Sequence, residues 1–183
     1  MKTLIYILLI GSASTYSLSG FAQRLRDKIE TKGSSITYKI KYEKSSKNFE
    51  VLLVENSANK LTKQKQVLSE RAKRLFADER LLKINWPGVK KIIANSISKE
   101  KLEANKTTFL GVHYYFNDQG LLKEVQFGLD PKSTLDGKDL EPIEKNLVGK
   151  IRGTIKDDAY NGTNYIALGD SYPLIVLLKL KKQ

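Results

Sequence analysis

Residues 107–129 read TTFLGVHYYFNDQGLLKEVQFGL, two strand-like runs folded about the turn Asp118-Gln119-Gly120. In the first run Phe109, Leu110, Val112, His113, Tyr114, Tyr115 and Phe116 supply apolar groups to both faces, which predicts a strand central in its sheet. Gly120 is free to take the positive φ of a tight turn. In the return run Leu121, Lys123, Val125, Phe127 and Leu129 alternate with Leu122, Glu124 and Gln126, a period of two. The short turn makes the pair antiparallel.

Toward the N-terminus, Ser98 is placed to cap a short helix over Lys99–Ala104. Before it, Ile92, Ile93 and Ile97 predict a helix over Val89–Ile97. Asn85-Trp86-Pro87-Gly88 breaks the chain, because proline biases Trp86 toward an extended conformation. Leu61, Leu68, Ala72, Leu75, Phe76 and Leu82 share one face at helical spacing and predict a long helix over 61–83, capped by Thr62. Lys63, Arg71, Lys73, Arg74 and Arg80 would line its other side. Further back, Ile36, Tyr38, Ile40 and Tyr42 alternate with lysines and Glu43, and Phe49–Val54 returns as a second strand. Residues 23–34 read as a flexible leader into the domain.

Toward the C-terminus a loop leads to a helix over Leu140–Leu147, with Ile143 and Leu147 inward. Ile151–Ile155 predicts a brief strand. Residues 157–173, rich in Gly, Asn and Asp, predict a long loop, and the apolar run Leu174–Lys181 a closing strand. The order β-β-α-α-β-β-α-β predicts one α+β domain over 35–183, a two-layer sandwich with helices on one face of a mainly antiparallel sheet.

The chain begins with Lys2, an apolar run from Leu4 to Ile10, and small residues to Phe21-Ala22-Gln23. This predicts a signal peptide, 1–22, cleaved after Ala22, because Gly20 and Ala22 are small at the two positions a signal peptidase inspects. The apolar core is far shorter than the roughly twenty residues of a spanning helix, so no integral membrane protein is expected. With no cysteine in the chain, a lipid-anchored cysteine, disulfides and thiol chemistry are all excluded. A periplasmic or extracellular address in bacteria follows as the expectation.

The net charge is +12, and residues 60–106 hold 13 basic against 5 acidic side chains. Lysine dominates, with 26 Lys to 6 Arg, which favours a solvated surface over the arginine forks of a specific nucleic-acid reader. His113 is the single histidine, so zinc sites needing two histidines are excluded. No Gly-x-Ser-x-Gly elbow or lysine-bearing phosphate loop occurs. No cofactor or metal site is expected. Carboxylate pairs that could serve glycoside hydrolysis are Asp136/Asp139, Glu141/Glu144 and Asp157/Asp158. Candidate binding residues are Trp86, Lys90 and Lys91, an aromatic-plus-cation patch, and Tyr160, Tyr165 and Tyr172 in the long loop.

Three further stretches complete a pattern over residues 112–180. Tyr115-Phe116-Asn117-Asp118-Gln119-Gly120 makes the hairpin turn and Leu122–Phe127 the return strand. Asp139–Leu147 makes a helix, and Tyr172–Leu180 a last strand. This layout resembles the C-terminal domain of TonB-type envelope proteins. The resemblance implies a small strand–strand–helix–strand domain of the kind that grips periplasmic segments of outer-membrane receptors. The Pro-rich spacer and membrane anchor of that family are absent from the pattern. The expected function is an exported, non-enzymatic binding or assembly module of the envelope, with an envelope protein or glycan as partner. Two alternatives stand beside it: a secreted carboxylate-dependent hydrolase acting on polysaccharide, and a polyanion binder using 60–106.

Overall fold

The computed structural model describes residues 28–44, 50–70, 72, 82–155 and 160–181. The predicted signal peptide, the polar turn of the first hairpin, and Asp157 and Asp158 lie outside the described residues.

The anchoring hairpin forms as its pattern dictates. Strands β5 (Phe109–Phe116) and β6 (Leu122–Leu129) pair antiparallel about a turn in which Gly120 has φ 74°. Asn117 tightens this turn, its Oδ1 accepting from the Gln119 and Leu121 amides at 3.2 and 2.8 Å. The alternation in β6 carries a correction. The register shifts between Tyr115 and Phe116, so Phe116 faces Leu122 while Tyr115 faces Glu124. The extra residue moves Leu122 onto the buried face and leaves Lys123 exposed.

The first hairpin forms as well: β2 (Thr37–Lys44) pairs antiparallel with β3 (Glu50–Asn56). Part of the supposed leader is ordered instead. Glu30–Lys32 is a strand, β1, paired antiparallel with β2, and its Thr31 is buried. Strand β3 joins β6, and the sheet runs β1-β2-β3-β6-β5-β8, where β8 is Ile166–Pro173. Strand β5 is therefore internal, flanked by β6 and β8. A two-stranded ribbon, β4 (Leu82–Lys83) with β7 (Thr154–Ile155), forms a second small sheet.

Four α-helices are described: α1 (Trp86–Ser96), α2 (Lys99–Ala104), α3 (Gly137–Leu147) and α4 (Leu174–Lys181). The fold class is α+β. Leu52, Val54, Leu110, Val112, Tyr114, Val125, Phe127 and Leu129 from the sheet are buried with Val89, Ile93, Leu102, Leu140, Ile143, Leu147, Leu174 and Leu177 from the helices. Each such side chain contributes roughly 1.5–3 kcal/mol by leaving water.

Local chemistry fixes the helix ends. Asn85 accepts from the Gly88 amide at 3.1 Å and caps α1, with Pro87 inside the first turn. Proline thus starts this helix rather than breaking the chain, because the first turn has no use for its missing N–H. Trp86 is accordingly helical and not extended. Ser98 caps α2 through the Lys101 amide. Asp136 and Asp139 form a reciprocal capping box on α3.

Three expectations fail. Residues 61–83 are not one helix. Leu61–Lys63 is a single 3-10 turn, residues 65–69 run without helix, and β4 closes the segment. The Glu124 carboxylate, rather than Thr62, caps that turn, accepting from the Lys60 and Leu61 amides at 2.8 Å. Residues 73–81, with Arg74 and Arg80, lie outside the described residues. The loop predicted to run to residue 173 becomes strand β8 from Ile166 onward. The closing strand is helix α4: Leu174, Leu177 and Leu178 are buried at helical spacing while Lys179 is exposed. Pro173 ends β8, and the Leu174 amide makes a last bond to the Thr108 carbonyl at 3.0 Å.

Candidate functional site

The N-terminal turn of α1 meets strand β8 and helix α4 at a recess of about 400 Å³, lined by Trp86, Pro87, Lys90, Asp170, Ser171, Tyr172 and Leu180. Three of the six sequence-nominated residues, Trp86, Lys90 and Tyr172, meet here. The indole of Trp86 is half-buried and lies tilted on Tyr114, with ring centroids 5.3 Å apart. Behind it the Tyr114 and Tyr172 hydroxyls share a hydrogen bond of 2.7 Å. Burial raises both phenols well above their ordinary pKa, so they stay neutral. The recess therefore has an aromatic wall, one ammonium, one carboxylate and the Ser171 side chain, backed by the buried pair of phenols.

The free side of β8 adjoins it. The bond from Leu174 to Thr108 sets the phase of the ladder. Antiparallel partners alternate between bonded and unbonded pairs, so Ile166, Leu168, Asp170 and Tyr172 bond to β5. Ala167, Gly169 and Ser171 then turn their backbone groups outward, where no strand pairs among the described residues. One end of this edge is closed. The Asp170 carboxylate accepts from the Ser171 amide at 2.8 Å, and Pro173 has no N–H to offer. The open stretch is thus Ala167–Gly169, ending at the recess.

The other nominated residues lie elsewhere. Lys91 is exposed on α1 and does not line the recess. Tyr160 is buried in the core. Tyr165 is buried against Tyr115, centroids 5.6 Å apart, and donates its hydroxyl to the Gln64 carbonyl at 2.9 Å. The expected tyrosine-rich recognition loop is therefore not assembled, because these rings face inward to fill the molecule. Asp170 and Ser171 escaped the sequence reading because that stretch read as loop. The alternation of Ile166, Leu168, Asp170 and Tyr172 on one face was the available signal.

The carboxylates have structural partners. Glu141, 3 % exposed, accepts from the Ser35 amide at 3.0 Å and the Ser35 hydroxyl at 2.7 Å, and pairs with Lys145. Lys145 and the Ser35 donors hold its carboxyl down to a pKa of about 2. Glu144 accepts from the Asn56 amide group at 2.7 Å, and burial pushes its pKa up. The Tyr38 hydroxyl lies beside it, and burial together with the Glu144 charge raises that phenol's pKa. Asp139 pairs with Lys101 at 2.8 Å. Among the described residues no group of three or more His, Cys, Asp or Glu could hold a metal ion, and no helix is long and apolar enough to cross a membrane.

A wider trough of about 1320 Å³ is bounded by β1, β2, β3 and the first turn of α3, where Asp136 and Lys138 line it. Lys39 and Lys41 line it beside Glu43 and Glu55, so its charge is mixed. The described basic residues of 60–106 lie on or near the turn Leu61–Lys63, β4, α1 and α2, and form no single helical stripe.

A solved structure of a DUF5043 family protein from Bacteroides uniformis is similar, with a TM-score of 0.58 over 78% of this chain and 83% of that one, at 18% identity. At that identity the likeness shows the fold alone. No family model matches the sequence, and no curated protein does.

Proposed function

We propose that the protein is an exported, non-enzymatic binding module of the bacterial envelope that takes an extended segment of an envelope protein along β8. The carrying observation is the junction of an open strand edge, Ala167–Gly169, with the Trp86 recess. Backbone groups supply affinity in strand addition, and a pocket beside the edge supplies selectivity. The closed end at Ser171 stops an incoming strand there, where its next side chain reaches the indole wall. The leader Met1–Ala22 supports the exported address.

Crosslinking in the native envelope followed by purification of the protein tests this. Gly169→Pro removes one outward N–H without touching the bonds to β5. A Cβ there meets only ordinary contact, His113 Cδ2 at 3.7 Å, and proline is tolerated on such an edge. Gly169→Pro and Trp86→Ala are each expected to abolish the crosslinked partner while the circular dichroism stays unchanged. Capture unaffected by Gly169→Pro overturns strand addition. If Trp86→Ala alone then loses binding, and the ligand is a sugar, the recess is a glycan site.

A further inference from the structure

The opposite margin of the sheet carries a different surface. The Ile40 amide donates to the Ile29 carbonyl and the Gly33 amide to the Ile36 carbonyl, each at 2.8 Å. By the same alternation, Ile29, Thr31 and Gly33 commit their backbone groups to β2, while Glu30 and Lys32 turn theirs outward. No strand pairs on that side among the described residues. Glu30 and Lys32 are exposed, and neither forms an ion pair with a described residue. Ile29, at the start of this edge, is 81 % exposed.

We infer that two copies of this chain pair antiparallel through β1, with Thr31 facing Thr31 of the second copy across a two-fold axis. The outward backbone groups select the register. Glu30 stands opposite Lys32 of the second copy and exchanges both backbone bonds with it, and symmetry repeats the pair. The same register sets each carboxylate beside an ammonium on one face, a favourable cross-strand arrangement. Ile29 falls opposite Gly33 of the second copy, which has no side chain to obstruct it. A slip of one residue sets outward groups against committed ones. A slip of two brings Glu30 against Glu30 or Lys32 against Lys32. The sequence Glu-Thr-Lys is thus complementary to itself under the rotation, as a two-fold interface requires.

Charge reversal tests the pairing. Sedimentation equilibrium on protein purified after expression of the full chain is expected to show a monomer–dimer equilibrium that weakens with salt. Glu30→Lys or Lys32→Glu alone turns both ion pairs into like-charge pairs and is expected to raise the dissociation constant at least about tenfold. The double variant Glu30→Lys/Lys32→Glu restores self-complementarity and is expected to dimerise as the parent does. All three changes lie on exposed side chains, so circular dichroism is expected to match the parent. A wild-type protein that stays monomeric at millimolar concentration overturns the inference. So does a dimer that the single reversals leave intact, or one that the double reversal fails to restore.

Discussion

Strand β1 offers three residues at one margin of the sheet, and strand β8 offers eight at the other. The short margin is held by an ionised carboxylate: Glu141 of α3 gathers the turn between β1 and β2 through Ser35. The long margin is held by neutral phenols, with Tyr172 bonded to Tyr114 under the Trp86 indole. The short edge has the first turn of α3 close against Lys32, whereas the long one is partly shut by Asp170 and Pro173. An edge in water is a hazard in proportion to its length, and the closure falls on the longer one. The two margins differ in what secures them and in what they can accept.

The largest expected effect comes at β1. A Cβ on Gly137 would lie 2.6 Å from the Lys32 carbonyl carbon and 2.8 Å from the Gly33 amide nitrogen, both backbone atoms that cannot turn aside. Gly137→Ala should therefore cost about 2 kcal/mol net, an overpacking loss that outweighs the gain in helix propensity. Urea unfolding measures the loss. Hydrogen exchange should show faster exchange at Thr31 while Leu168 and Asp170 keep their protection. Equal loss at both margins would show that they are not independent.

At β8 the effect is somewhat smaller and has a built-in control. Tyr172→Phe leaves the buried Tyr114 hydroxyl unpaired and is expected to cost about 1–2 kcal/mol. Adding Tyr114→Phe removes the orphan, so the double variant should lie close to the parent. Additive losses in a double-mutant cycle would mean that the hydroxyl pair contributes little.

The gentlest distinction is in pH. The folded-state pKa of Glu141 is depressed to about 2, so its contribution is present above the unfolded value of about 4.3 and is lost as pH falls through about 2. Tyr114 and Tyr172 are raised by burial. Their contribution is complete below the unfolded value of about 10 and is lost as pH rises through the folded values. Acid should loosen β1 first and alkali β8 first, read as residue-level exchange at the two extremes. Glu144, also raised by burial, acts against Glu141, since lowering the pH relieves it. Glu144→Gln should therefore steepen the acid loss at β1.

The parts of the fold legible in the sequence are those where local pattern and tertiary outcome agree. The hairpins of β2–β3 and β5–β6, the Ser98 cap and the inward Ile143 and Leu147 all follow from periodicity and capping chemistry. Failures occur where partners outweigh propensity. Gly169, Asp170 and Ser171 favour loops in isolation, and β8 exists because β5 offers it a full ladder. Leu174–Lys181 is apolar at nearly every step, so a period of two and one of 3.6 fit it equally. Strand β1 is too short to show any period, and its one inward residue is Thr31. At the recess, Trp86 and Lys90 were visible as members of an aromatic-plus-cation patch, although Trp86 read as extended and outside the helix. Tyr172 was placed in a loop, and Asp170 had no individual mark.

The bond between Ser35 and Glu141 joins residues 106 positions apart. A chain made N-terminus first presents β1 early, yet its clamp arrives only with α3. Closing so long a loop carries an entropic cost that nearer contacts do not, and distant pairings tend to form late. Strand β1 is therefore among the first segments to emerge and among the last to be secured. Its outer side becomes a defined surface only in the finished molecule, so association through it follows folding and cannot assist it.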